Sequence, residues 1–157
     1  MNRILITAVC AWTLSIGVLH AQNQQSKVTV CNDKVMHTEL VMLNKSLEDR
    51  GFTLVQFNTM NMPSGAYLPM IVQMEAGKMY QVNFISSKDF KEFNITLLDK
   101  NRTKLIDKKV KQKNGGKHQV SESFVAPYSG NFTLIVSQKV KGKDEACGGV
   151  SILKANK

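Results

Sequence analysis

The stretch KMYQVNFIS, residues 78–86, decides the fold class of this chain. Its apolar residues Tyr80, Val82 and Phe84 occupy alternate positions, with polar residues between them. Successive side chains of a β-strand point to opposite faces, so the alternation predicts a strand with one face in a hydrophobic core. The same two-residue period recurs at 93–97 and 132–136. Half-buried strands that repeat in this way indicate a mostly β protein built from antiparallel sheet.

Turn residues divide the chain beyond residue 51 into segments at the spacing typical of a single antiparallel β-sandwich. Gly65, Gly77 and Gly130 lie between segments and supply backbone angles that other residues resist. Pro69 lacks a backbone N–H group, which places its strand at a sheet edge or at a bulge. The predicted strands are 52–60, 66–75, 78–86, 92–99, 103–110, 117–126, 131–140 and 146–154.

Upstream of the strands, the apolar residues recur at steps of four, three and four, which is the period of one amphipathic α-helix. Asn32 or Asp33 can cap its start, and Gly51 can adopt the left-handed conformation just past its end. We predict a helix over 34–50 that follows a short strand-like stretch at 27–31. The helix should pack on the sandwich, because an isolated helix of this length is marginal in water. Its apolar stripe comprises Met36, Leu40, Leu43 and Leu47.

The first residues have the pattern of a secretory signal peptide. Arg3 precedes an uncharged apolar run at 4–19, which is short for a membrane span, and Ala21 provides a small residue for cleavage. We predict a signal peptide over 1–21 that includes Cys10, and a mature single domain over 22–157. The localisation expected from this is periplasmic or extracellular, in a bacterium.

The mature chain keeps two cysteines, Cys31 and Cys147. In an oxidising compartment such a pair is expected to form a disulfide. Two free thiols or a shared metal ion are the alternatives, although neither cysteine has a CxxC partner or a histidine at ligand spacing.

Positive charge is concentrated in one stretch, which we call the basic run. The whole chain has a net charge of +9 and Arg3 is the single basic residue of the signal peptide, so the mature chain carries +8. Within the stretch only Asp107 opposes the basic residues. The basic run can bind anionic polysaccharide, lipopolysaccharide or lipid headgroups. Alternatively, it can protect a strand edge from aggregation. Nucleic acid is not expected, because no aromatic residues interleave the run for base stacking. The basic run comprises Lys100, Arg102, Lys104, Lys108, Lys109, Lys111, Lys113 and Lys117.

Methionines form a second cluster, for which we weighed copper binding against core filling. Thioethers are soft ligands that suit Cu(I), but Met more often fills irregular gaps in cores. No histidine lies in the same stretch, so we expect core filling and no cofactor. The cluster comprises Met60, Met62, Met70, Met74 and Met79.

Enzyme chemistry has little support in the sequence, and no catalytic or metal-ligating residue is assigned. The mature chain has two histidines, His37 and His118, and neither belongs to a recognisable nucleophile motif. The stretch at 121–123, with two serines and a glutamate, is typical of ordinary loop and strand-end residues unless folding brings it together with other candidates. A calcium site would draw on scattered carboxylates without a dense Asp and Asn pattern. Those carboxylates are Asp89, Glu92 and Asp99.

Four pieces of the chain resemble the bacterial pre-peptidase C-terminal domain, over roughly residues 76–154. They are AGKMYQV (76–82), FNITLLDKN (93–101), FVAPYSGNFTL (124–134) and GVSI (149–152). The third is the most specific, because members of that family place an Ala-Pro-x-x-Gly turn before a strand that begins near an aromatic residue. The resemblance implies a jelly-roll-like β-sandwich and an accessory role, and it transfers no site residues.

Together these observations predict an exported, non-catalytic binding or accessory module of the bacterial cell envelope. Its partner would be an anionic polysaccharide, a lipid headgroup or another envelope protein. The alternative is an extracytoplasmic hydrolase whose residues meet only in three dimensions. A cleft that brings a histidine within hydrogen-bond reach of a serine or carboxylate would favour this alternative.

Overall fold

The computed structural model describes residues 29–114 and 116–156. Within them the chain forms one α-helix followed by eight strands, as predicted, with a single turn of 3-10 helix, η1, between the fifth and sixth strands. The predicted signal peptide, Cys10 and the start of the strand-like stretch at 27–31 lie outside the described residues. The elements are α1 (Lys34–Glu48), β1 (Phe52–Pro63), β2 (Leu68–Met74), β3 (Met79–Ile85), β4 (Phe90–Leu98), β5 (Lys104–Lys111), η1 (Gln112–Asn114), β6 (Gln119–Val125), β7 (Gly130–Val140) and β8 (Glu145–Ala155).

The strands form two four-stranded antiparallel sheets that pack as a β-sandwich. Sheet A has the order β1-β8-β3-β6, and sheet B has the order β2-β7-β4-β5. The apolar residues that alternate in the sequence are the ones that fill the space between the sheets, which confirms the predicted fold class. The central residues of this core are Tyr80, Val82 and Phe84 from sheet A, and Phe93, Ile95, Leu97, Phe132, Leu134 and Val136 from sheet B.

The sandwich has edge strands on both sides. Pro69 lies in β2, an edge strand of sheet B, as its missing N–H group predicted. At the edge of sheet A, Val30 forms a single antiparallel bridge with Met60 of β1. The N–H group of Asn61 donates to the carbonyl of Thr29 at 2.9 Å. The described part of the predicted 27–31 strand is therefore a short extension of this edge.

Helix α1 begins where the sequence predicted and ends two residues earlier. Of the two possible caps the chain uses Asp33, whose carboxylate accepts from the N–H groups of Val35 at 3.0 Å and Met36 at 3.1 Å. At the other end the N–H group of Arg50 bonds to the carbonyl of Leu47 at 3.0 Å, which tightens the chain into a turn. Gly51 follows with a φ of +87°, as expected of a helix stop.

The apolar face of α1 packs on the outer face of sheet A. Leu40 is fully buried, and the helix contacts Ile85 and Phe57 of the sheet. Close approach depends on Gly149 of β8, where a Cβ atom would lie 3.0 Å from Leu40 Cδ2. The residues of the predicted stripe behave accordingly, since Met36, Leu40 and Leu47 are buried and Leu43 is half-buried.

A disulfide joins Cys31, just before the helix, to Cys147 in β8, which confirms the predicted pairing. The outer face of sheet B carries no corresponding helix in the residues that the structure describes. Among the same residues, no helix is long and apolar enough to cross a membrane.

Candidate functional site

The basic run lies on one edge of the sandwich. Seven of its eight members fall in β5, the turn before it or the 3-10 turn after it, and β5 is an edge strand of sheet B. The strand is therefore accessible along its side, which is the position where lysines commonly prevent unwanted strand pairing.

The register between β4 and β5 decides which way each lysine points. Lys109 pairs with Asn94 and faces outward, whereas Lys108 pairs with Ile95 and faces the core side. The ammonium group of Lys108 lies 3.3 Å from a carboxylate oxygen of Glu122 in β6, an edge strand of sheet A. This ion pair links the two edges across the open side of the sandwich. An inward-pointing charge at an edge discourages further strands from pairing there.

The sequence suggested that only Asp107 opposes the basic run, and the structure shows that this interpretation was wrong. Lys104 lies 2.7 Å from the carboxylate of Asp107, but Lys109 also lies 3.0 Å from Glu92. Glu92 lies in β4 and Glu122 lies in β6, so the sequence of the basic run alone does not indicate that they oppose it. The hydrogen bond from Lys109 is the main cause that lowers the pKa of Glu92, and that from Lys104 lowers the pKa of Asp107.

The other five members of the basic run have no acidic partner within 4.0 Å in the described part of the chain. Lys100 instead lies over the ring of Tyr128, with its ammonium group 5.0 Å from the centroid, a cation–π geometry. The five unpaired residues are Lys100, Arg102, Lys111, Lys113 and Lys117.

The turn that presents Lys100 and Arg102 is held by Asp99. Its carboxylate accepts from the N–H groups of Asn101 at 2.8 Å and Thr103 at 2.7 Å, while Arg102 adopts a left-handed φ of +63°. Asp99 thus stabilises the turn. Within residues 29–114 and 116–156, no three His, Cys, Asp or Glu side chains are grouped so that they could hold a metal ion.

The structure does bring one histidine to a carboxylate. Nε2 of His118 lies 2.9 Å from Glu39 in α1, and Lys88 lies 3.1 Å from the other oxygen of that carboxylate. The contact with His118 is the main cause that lowers the pKa of Glu39. A polar cavity runs alongside, between the start of α1 and the β3–β4 connection.

This contact meets the criterion given above for the hydrolase alternative. Among the described residues, however, no serine hydroxyl is hydrogen-bonded to the ring of His118, as a serine nucleophile would be. The hydroxyl of Ser86, which lines the cavity, donates to the backbone carbonyl of His118 at 3.1 Å and does not contact its ring. His37 instead packs edge-on against Phe57, with ring centroids 5.4 Å apart. The described contacts of Glu39 and His118 fasten the helix to the sandwich.

The remaining candidates lie apart from one another. Ser121 donates to the side chain of Asn83 at 2.7 Å, and Asn83 in turn donates to Ser151 at 3.1 Å. Asp89 binds Lys143 at 2.8 Å, at a different place from Glu92. Among the methionines, Met60, Met62 and Met74 are buried in the core between the sheets, Met70 packs against its margin and Met79 is 40% exposed.

No protein-family model matches the sequence, and no curated protein matches it. Among solved structures, the chain is similar to PliG from Aeromonas hydrophila, a periplasmic lysozyme inhibitor of g-type lysozyme. The identity is 13%, the match covers 64% of this chain and 83% of that chain, and the TM-score is 0.42. It is also similar to VP2 of the infectious bursal disease virus subviral particle at 13% identity, covering 66% of this chain and 32% of that chain, with a TM-score of 0.38. The chain thus spans about a third of the VP2 chain.

Proposed function

We propose that this protein is an exported, non-catalytic binding module of the bacterial cell envelope that contacts an anionic envelope component through its basic run. One observation carries the proposal: five of the eight basic residues lack an acidic partner among the described residues, on and beside an exposed edge strand. Unpaired charges of one sign on a single surface raise the local potential and attract ligands of the opposite sign.

Export is supported by two features. The N-terminal sequence has the charge, length and cleavage site of a signal peptide. The disulfide between Cys31 and Cys147 is of the kind that persists in oxidising compartments. An anionic polysaccharide or lipid headgroup is the ligand class that fits both the location and the charge. The resemblance of residues 76–154 to pre-peptidase C-terminal domains supports an accessory role.

A second candidate is docking of another envelope protein on the outer face of sheet B. Tyr67, which directly precedes β2, is 68% exposed, and Ile71 within β2 is 61% exposed. Exposed tyrosine is enriched at protein interfaces. Lys104 and Lys109 of the basic run line the same surface depression as Tyr67. The experiment below uses heparin and lipopolysaccharide without a protein partner, so it tests the first candidate.

The test compares two triple variants with the same change in net charge. In the first, Lys100, Lys111 and Lys117 of the basic run are replaced by Gln. In the matched control, Lys34, Lys45 and Lys78, which lie on the helix and in a turn and also lack an acidic partner among the described residues, are replaced by Gln. Retention of the mature chain on immobilised heparin and on lipopolysaccharide is measured at two salt concentrations.

We expect the basic-run variant to elute at a clearly lower salt concentration than the parent, and the control to elute close to the parent. Exposed charges are screened over about 8 Å at physiological salt, so retention of the parent should fall steeply as salt is raised. Equal behaviour of the two variants would show that total charge, rather than this surface, controls retention. No retention of the parent on either column would also contradict the proposal.

A further inference from the structure

A surface concavity lies at the end of sheet B where β4 begins and where β5 and β7 end. Register explains why residues that are distant in sequence meet there. Phe90 pairs with Val140, which brings the start of β4 beside the end of β7, and Glu92 pairs with Lys111, which brings the 3-10 turn to the same place. The concavity is lined by Lys91, Gln112, Lys113 and Lys141.

Hydrogen bonds hold the segments that form the concavity. The amide of Gln112 donates to the backbone carbonyl of Lys88 at 3.3 Å, which ties η1 to the β3–β4 connection. The backbone N–H group of Lys141 donates to the carbonyl of Asp89 at 2.9 Å, which ties the end of β7 to the same connection. The backbone segments that carry the three lysines are therefore held together by hydrogen bonds to the β3–β4 connection.

The concavity has no acidic lining residue, and its three lysines make no ion pair with the residues that the structure describes. The nearby carboxylate of Asp89 contacts Lys143 at 2.8 Å, and that hydrogen bond is the main cause that lowers the pKa of Asp89. The side chains of three lysines that make no ion pair thus line one small surface, although the charge of Lys141 also contributes to lowering the pKa of Asp89.

We propose that this concavity binds a phosphate group. The inference rests on the proposed function and narrows its ligand class from anionic to phosphate-bearing. A phosphate monoester carries about −1.5 to −2 charges near neutral pH, whereas a carboxylate carries one. Three lysines therefore match a phosphate better than a carboxylate, and the lysine ammonium group is a common phosphate-binding point charge. The phosphate can belong to a lipid headgroup or to a soluble ester.

The test uses the mature chain with Lys91 and Lys141 replaced by Gln, and a control with Lys34 and Lys78 replaced by Gln. Inorganic pyrophosphate is titrated while amide signals are followed by NMR, and binding to phosphatidylcholine vesicles that contain phosphatidic acid is measured by sedimentation. Removal of two of the three ammonium groups should weaken pyrophosphate binding by about tenfold or more, and the control should bind like the parent. The parent signals that shift should be those around Lys91, Lys113 and Lys141.

Binding of the parent to pyrophosphate and to vesicles supports a lipid headgroup, and binding to pyrophosphate alone supports a soluble ester. Equal affinity of the parent and the Lys91/Lys141 variant, or no shift of these signals in the parent, overturns the inference. The proposed function is tested separately by Lys100, Lys111 and Lys117, which do not line the concavity. A heparin defect in that triple variant, with normal pyrophosphate binding by the Lys91/Lys141 variant, would retain the proposed function and reject the phosphate site.

Discussion

At the scale of single residues, Glu39 is a charged group of α1 that contacts the sandwich through two side chains. It sits beside the apolar face of α1 and contacts two side chains from outside the helix, His118 at 2.9 Å and Lys88 at 3.1 Å. Its pKa is lowered mainly by the contact with His118 and further by Lys88. The folded state therefore favours the ionised carboxylate more than the unfolded chain does.

Replacement of Glu39 by Gln should lower the free energy of unfolding at pH 7 by about 0.5 to 1 kcal/mol, because a partly exposed ion pair contributes little more than this. A lowered folded pKa gives stability that is present above the unfolded value of about 4.3 and is lost as pH falls through the folded pKa. The difference between variant and parent should accordingly be fully present at pH 7 and should be smaller at pH 3. Urea denaturation at the two pH values measures it.

Glu48→Gln is the matched control, since Glu48 lies on the same helix and makes no ion pair in the described residues. It should not lower the free energy of unfolding. A difference between Glu39→Gln and the parent that persisted unchanged at pH 3 would show that the effect is not electrostatic.

The ion pairs of Lys108 and Lys109 could not be predicted from the sequence. Lys108 and Lys109 are neighbours of the same type, yet one faces Glu122 across the sandwich and the other contacts Glu92 on the same sheet. The composition of the run indicated a charged edge, and that is where the run lies. Its acidic partners could not be predicted, because they depend on which strands become neighbours.

At the scale of elements, helix α1 is the part of the structure that the sequence described most fully. The period of its apolar residues, its N-cap and the glycine after its end predicted the helix. Its apolar stripe is the face that packs on sheet A. The strands were also readable from two-residue alternation, to within about three residues at each end. The order of the strands was not readable, because alternation identifies a buried face but not the strand beside it. Lys91 and Lys141 were missed for the same reason, since the β4–β7 pairing alone brings them together.

Leu40→Ala should destabilise the whole domain by about 2 to 5 kcal/mol, because the side chain is fully buried between α1 and β8. Met42→Ala on the same helix is the control. Met42 is 68% exposed, so the change should stay within about 0.5 kcal/mol of the parent. Urea unfolding, followed by far-ultraviolet circular dichroism and by the signals of core aromatic residues, should give a single transition. Separate transitions for helix and sheet would contradict joint packing.

At the scale of the whole molecule, the disulfide connects the two ends of the described chain. Cys31 and Cys147 are separated by 116 residues, and the bond ties the segment before α1 to the strand on which α1 packs. A loop of this length restricts the unfolded chain considerably. The sequence predicted this pairing because only two of the three cysteines, Cys31 and Cys147, lie downstream of the predicted signal peptide.

Replacement of both cysteines by Ser should lower the free energy of unfolding by roughly 4 to 5 kcal/mol, the loss of loop-closure entropy expected for this separation. The parent measured with and without a reducing agent provides the comparison. Reduction should destabilise the parent toward the level of the double variant and should leave the variant unchanged. Equal stability of the oxidised parent and the variant would show that the bond constrains the chain less than its loop length implies.

The order of sheet A also bears on when the chain can fold. The last strand, β8, lies between β1 and β3, so the first strand of the sandwich has no neighbour in its sheet among β2–β7. Sheet B likewise needs β7 to join β2 to β4. Pairings over such long sequence separations form slowly, because the entropy cost of closing a large loop precedes the contacts that offset it. Sheet A therefore cannot be completed during synthesis until β8 has emerged from the ribosome, and sheet B cannot be completed until β7 has emerged, so neither sheet can form early in translation.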